Sequence, residues 1–212
     1  GQETDSNILN QIVLGYAEQY FDEFGDIQIP TDLEQISAPI DGNGIVLSDG
    51  ASGNRIHAVT AHQITRSGVL FEGQGTDGNR LTNSDLRGGD VASVHLADGP
   101  KRNVIGGDDQ QNEANVITGG SEDGVRILIE GAGTEYNEVI GNNLGRIFSG
   151  FFGGGKPFEH ALVGIHIRNG AAGNVVGVPG ETIAVENADN LAQPFEFSGS
   201  NGFAIGTSLI LD

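Results

Sequence analysis

Apolar and polar residues alternate along this chain in short runs, each closed by a glycine-rich turn and reopened by an asparagine. Gly164-Ile-His-Ile-Arg-Asn-Gly-Ala-Ala-Gly-Asn-Val-Val-Gly177 is the clearest case. The same pattern links Gly44-Ile-Val-Leu to Asn54-Arg-Ile, Gly68-Val-Leu-Phe to Asn79-Arg-Leu and Ser93-Val-His-Leu to Asn103-Val-Ile. It links Gly124-Val-Arg-Ile to Asn137-Glu-Val-Ile, and a further start stands at Gly202-Phe-Ala-Ile. A period of two predicts strands, with Ile165 and Ile167 turned to one face and His166 and Arg168 to the other.

The asparagines Asn54, Asn79, Asn103, Asn137 and Asn174 are separated by 25, 24, 34 and 37 residues. A spacing near the lower value with occasional insertions predicts a solenoid of short parallel strands, each turn stacked on the one before. The asparagine then occupies one corner of every rung. Its amide can bond to the equivalent amide about 4.8 Å away, forming a structural ladder. An ordinary turn asparagine is the plainer alternative.

One segment departs from this cadence. Ile8, Leu9, Ile12, Val13, Tyr16, Tyr20 and Phe24 recur at helical spacing, after Asp5 or Ser6 as a cap and before Gly25 as a stop. The sequence therefore predicts an amphipathic helix within residues 1–25 that closes the first rung, a lead-in over 26–40, and rungs over 41–212, all in one domain. Residues 146–163 are read as an insertion in the rungs. At the other end, Ser208-Leu-Ile-Leu-Asp212 is apolar and strand-like, an open edge expected to meet a neighbouring domain or subunit.

Composition narrows the function. Asp and Glu number 29 against 10 Lys and Arg, a formal net charge of −19, which argues against nucleic acid as a partner. The 35 glycines suit a chain rich in turns, and the 37% hydrophobic content is modest. No cysteine is present, which removes disulfides, thiol catalysis and zinc–cysteine sites together. No apolar run reaches membrane-spanning length, so no membrane insertion is expected. The absence of methionine reads as a processed or excised chain, compatible with a cleaved secretory signal.

The runs Asn103-Val-Ile-Gly-Gly107, Asn115-Val-Ile-Thr-Gly119, Gly124-Val-Arg-Ile127 and Asn137-Glu-Val-Ile-Gly-Asn142 resemble the repeats of right-handed parallel β-helix proteins. They are similar to repeats in secreted or surface-attached bacterial proteins of the pectate-lyase-like superfamily. The resemblance spans about residues 40 to 180. It implies an all-β fold, a right-handed parallel β-helix of about five to six rungs, and a secreted or cell-surface location. That fold carries lyases, hydrolases, adhesins and phage spikes alike, so it does not name an activity.

Three groups of residues are candidates for chemistry. Counting three positions from each strand-opening residue gives Val46, Leu70, His95, Arg126, His166 and Ala204 on the outer side. In that column His95, Arg126 and His166 form a candidate catalytic set for an acidic polysaccharide, with arginine neutralising a uronate and histidine accepting a proton. The insertion concentrates Phe148, Phe151, Phe152 and Phe158, a candidate binding surface alongside Arg168, or a loop packed on its own flank. Asp108, Asp109 and Glu113 are candidate calcium ligands; no other cofactor is implied. No nucleophile elbow, phosphate loop or metal-binding histidine helix occurs. The sequence therefore favours an extracellular structural or adhesive module of a bacterial surface or self-assembling protein, without catalysis. A lyase or hydrolase of acidic glycans and a carbohydrate-binding module are the alternatives. A polysaccharide, or a neighbouring subunit at the C-terminal end, is the partner expected.

Overall fold

Three parallel sheets stack along a common axis in the computed structural model. It describes residues 6–15, 40–107, 111–117, 125–144 and 163–177, with short strands at 20–21, 27–28, 146–147, 156–157 and 209–211. The first, here called the ladder sheet, runs Ile8–Asn10, Arg55–His57, Arg80–Thr82, Val104–Gly106, Glu138–Ile140, Val175–Val176. The second runs Val13–Leu14, Thr60–His62, Asp85–Arg87, Val116–Ile117, Asn143–Leu144. The long sheet runs Ile45–Leu47, Ser67–Glu72, Ala92–Ala97, Val125–Glu130, Val163–Arg168, Leu209–Leu211. Each rung visits the long, ladder and second sheets in turn. Among the described residues the protein is all-β with parallel sheets in regular repeats, as the sequence predicted.

Inside the coil, like stacks on like. The ladder sheet sends Leu9, Ile56, Leu81, Ile105, Val139 and Val176 inward, in register from rung to rung. Four of these, Ile56, Leu81, Ile105 and Val139, are 0% exposed. The long sheet contributes Leu47, Phe71, Leu96, Ile129 and Ile167 to the same core. Both corners flanking the ladder sheet rest on left-handed residues. The residue before each ladder asparagine (Ser6, Gly53, Gly78, Arg102, Tyr136, Gly173) has φ between 55° and 66°. The corner to the second sheet turns on Gln11, Ala58, Asn83 and Gly141 at φ 51–59°. One such residue bends the chain sharply without interrupting the strands beside it.

That corner explains a correction. The amphipathic helix expected over residues 6–24 is not formed where the structure describes the chain. Ile8–Asn10 and Val13–Leu14 are strands paired in parallel with Arg55–His57 and Thr60–His62. Tyr20–Phe21 and Ile27–Gln28 pair antiparallel. The left-handed Gln11 shifts the alternation by one position, so the inward residues fall at Leu9, Ile12 and Leu14. That spacing passes for helical periodicity. It recurs as Ile56, Val59 and Ala61 in the next rung, all fully buried.

Candidate functional site

The asparagine ladder is continuous and one asparagine longer than the sequence reading. Asn7, Asn54, Asn79, Asn103, Asn137 and Asn174 stack in order, each passing both its backbone N–H and its Nδ2 to the Oδ1 of the next. The distances are 2.9–3.0 Å throughout. The remaining amide proton of Asn79, Asn103, Asn137 and Asn174 reaches a backbone carbonyl, of Ala51, Thr76, Pro100 and Thr134 respectively. A shorter ladder at the adjoining corner escaped the sequence reading. Val59 N–H donates to Ser84 Oγ, Ser84 N–H to Asn115 Oδ1, and Asn115 Nδ2 to Asn142 Oδ1. The signal for it was the recurrence of asparagine at Asn115 and Asn142, each just before a strand of the second sheet.

The outer face of the long sheet is where chemistry was expected. In register, its central column reads Val46, Leu70, His95, Leu128 and His166. His95 and His166 therefore share a column, but Arg126 is not between them. Arg126 lies two residues earlier in its strand, level with Ser93 and Gly164, and is 1% exposed. Its burial pushes the guanidinium below its ordinary pKa. The slip has a simple cause: Ile127 and Ile129, not Val125 and Ile127, align with Ile165 and Ile167. A two-residue shift preserves the inward–outward alternation, so the pattern alone cannot detect it.

What the face brings together is a different set. Glu130, absent from the sequence-derived candidates, accepts from His95 Nε2 at 2.9 Å on one oxygen. Its other oxygen accepts from Arg168 Nε at 2.8 Å and Asn169 Nδ2 at 3.0 Å. Three successive rungs are thus tied through one carboxylate. Burial alone would raise the Glu130 pKa, but the hydrogen bonds from Arg168 and His95 outweigh it and hold the carboxyl below its ordinary value. Burial lowers His95, against the opposing pull of Glu130, so the imidazole stays neutral near pH 7 and donates its Nε2 proton.

Further cations are paired, across rungs for Lys101 and Arg80 and within one strand for Arg87. Lys101 pairs with Glu135 at 3.0 Å, Arg80 with Glu113 at 3.3 Å, and Arg87 with Asp85 at 2.6 Å. Glu113 thus faces an arginine, while its proposed calcium partners Asp108 and Asp109 lie outside the described residues. Among the described residues no group of three or more His, Cys, Asp or Glu could hold a metal ion. Phe148, Phe151, Phe152 and Phe158 also lie outside them; of that insertion, Arg146–Ile147 and Lys156–Pro157 form an antiparallel pair. Among the described residues no helix is long and apolar enough to cross a membrane.

No family model, no curated protein and no solved structure matches this chain.

Proposed function

We propose that this chain is an extracellular structural or adhesive module, a stiff acidic coil that performs no chemistry of its own. The observation that carries the reading is the use of the outer cations. Arg168 and His95, the residues best placed on the long sheet to meet an acidic glycan, are turned onto Glu130 of a neighbouring rung. A site built for uronates would present that charge outward, whereas here it ties rung to rung. The net charge of −19 works in the same direction, repelling polyanions and keeping a rod soluble. Membership in the right-handed, pectate-lyase-like group and a secreted or surface location belong to this proposal. The repeat cadence supports them, and so does the strong right-handed bias of parallel crossovers.

One observation favours a lyase instead. A neutral histidine oriented by a carboxylate, as His95 is by Glu130, is the arrangement a general base needs. Incubation with alginate and pectate, followed by ultraviolet absorbance of unsaturated ends, separates the two readings. No product is expected. Product formation abolished by His95→Ala or His166→Ala would overturn the structural reading.

A further inference from the structure

The chain contains three Asn–Gly pairs, Asn43–Gly44, Asn169–Gly170 and Asn201–Gly202, the last outside the described residues. Such a pair can react with itself, because glycine has no side chain to shield its nitrogen from the amide carbon before it. The fold protects one pair and leaves another open. At Asn43 the side-chain Oδ1 accepts from Ser67 N–H at 3.1 Å, and Gly44 N–H donates to Ser67 O at 2.9 Å. Both reacting groups are therefore engaged. At Asn169 the one side-chain bond among the described residues runs from Nδ2 to Glu130 Oε2 at 3.0 Å, and Gly170 N–H reaches no acceptor among them. Asn169 is exposed, whereas Asn43 is half-buried. Each ladder asparagine, by contrast, is followed by a residue with a side chain and keeps its amide engaged in the stack.

Asn169 and Gly170 form the centre of the turn that carries Val163–Arg168 into the ladder corner. Both are left-handed, at φ 56° and 82°, and Ala171 N–H closes the turn on Arg168 O at 3.2 Å. Asparagine and glycine accept this conformation most readily, so the turn itself selects the reactive pair. The site also sits where a change would be felt. Asn169 is one of three donors to Glu130, with His95 and Arg168, and it stands five residues before Asn174. Asn174 Oδ1 holds Asn137 N–H and Asn137 Nδ2, both at 3.0 Å.

We propose that Asn169–Gly170 is a self-modification site whose conversion slackens two ties between rungs. Gly170 N gives its proton to a base in solvent and attacks Asn169 Cγ. The N–Cγ bond forms, the Cγ–Nδ2 bond breaks, and Nδ2 leaves as ammonia with a proton from water. A second water opens the resulting five-membered imide at either carbonyl, giving aspartate or isoaspartate without an oxidant or cofactor. Both products replace a donor to Glu130 by a carboxylate beside it, a like charge that opposes the tie. Isoaspartate also routes the main chain through Cβ and lengthens it by one atom. Ala171 N–H to Arg168 O and Ala172 N–H to Thr134 O pin the chain on this path, so the added atom strains the approach to Asn174. The reaction needs only these atoms and water, so it stands whether the coil is structural or carries an activity.

Ageing the intact protein in mildly alkaline buffer, followed by peptide mapping, tests this without any variant. The peptide holding Asn169 should gain the mass of an amide turned carboxylate, while the peptide holding Asn43 should not. Mass is the readout because Asp–Gly pairs such as Asp49–Gly50 isomerise without changing it. In urea both asparagine pairs should convert, which assigns the choice between them to the fold. A folded protein that keeps the Asn169 amide while its unfolded chain loses it would overturn the proposal. So would conversion of Asn43 as fast as Asn169 in the folded protein. Asn169→Gln should abolish the new mass and keep the fold, since Gln11 and Gln63 already adopt φ 56° and 53°. The converted fraction, separated by its extra negative charge, reports the consequence. Hydrogen exchange at Asn137 N–H should be faster in it than in Asn169→Gln protein aged alongside. Equal protection of that amide would refute the slackening of the ladder.

Discussion

Replacing Asn103 by alanine tests whether the ladder holds the coil together or only decorates it. The side chain makes four hydrogen bonds. Its Oδ1 accepts from Asn79 N and Asn79 Nδ2, both at 2.9 Å, and its Nδ2 donates to Thr76 O at 2.9 Å and Asn137 Oδ1 at 3.0 Å. At about 1 kcal/mol net for each, with the buried Asn79 N–H left without an acceptor, the loss is about 4 kcal/mol. That is a large share of the roughly 5–15 kcal/mol that holds a domain folded. Asn7→Ala is the internal control. It removes one bond, Nδ2 to Asn54 Oδ1, at an exposed position, while Asn7 N–H still fills the same oxygen; about 1 kcal/mol or less is expected. Urea unfolding at constant slope measures both. Asn103→Asp sharpens the test. It keeps the acceptor for Asn79 but sets an oxygen against Thr76 O and Asn137 Oδ1. Burial raises that carboxyl's pKa in the folded state, so the variant should be at its firmest in acid and weaken as pH rises through the folded value. An Asn103→Ala loss no greater than that of Asn7→Ala would refute the energetic role of the ladder.

Acid should weaken the wild type in two stages. His95, lowered by burial, contributes stability above about pH 6.5 that fades as pH falls through its folded value, and Glu130, held low by Arg168 and His95, does the same below about pH 4.3. Urea midpoints across pH measure this, and Glu130→Gln should shrink the lower stage, leaving the part carried by Asp85, whose carboxyl burial would raise but His62 and Arg87 hold low. Gly141→Ala should cost at least about 2 kcal/mol, since φ is +59° and an added Cβ would collide with the carbonyl oxygen of Gly107. Gly50→Ala, at φ +83° with nothing within 4 Å, isolates the conformational part, and thermal melts of the two should differ clearly.

The coil was legible in the sequence because its core repeats two signals at once. Ile165 and Ile167 alternate as inward residues must, and Asn54 through Asn174 mark one corner by chemical type. The first rung was missed because the left-handed Gln11 converts strand alternation into a helix-like spacing at Leu9, Ile12 and Leu14. Arg126 was misplaced because a two-residue slip leaves every side chain on its proper face. Glu130 was overlooked for a different reason. Its role depends on His95 and Arg168, 35 and 38 residues away along the chain. No local pattern encodes a contact made across rungs.

The uneven spacing of the ladder asparagines has a cause in the same geometry. From Leu47, Phe71, Leu96, Ile129 and Ile167, the last inward residues of the long strands, the next ladder asparagine follows after seven or eight residues every time. The extra residues fall elsewhere in the sequence. They lie between Gly106 and Val116, across the ladder-to-second corner, and at the second-to-long corner before Val125 and Val163. The corner holding the ladder cannot absorb insertions, because the left-handed residue and the asparagine after it must arrive together to keep buried amides paired. The second-to-long corner carries individual side-chain bonds across rungs, Gly42 N–H to Thr65 Oγ1 and Ser67 N–H to Asn43 Oδ1, but among the described residues no chain of them that runs the length of the coil. It also borders the outer face of the long sheet, where Leu128 and Arg126 are 2% and 1% exposed although both point away from the core. The corner before the long strands is thus where rungs differ in length along the sequence, while the corner that holds the ladder keeps its length.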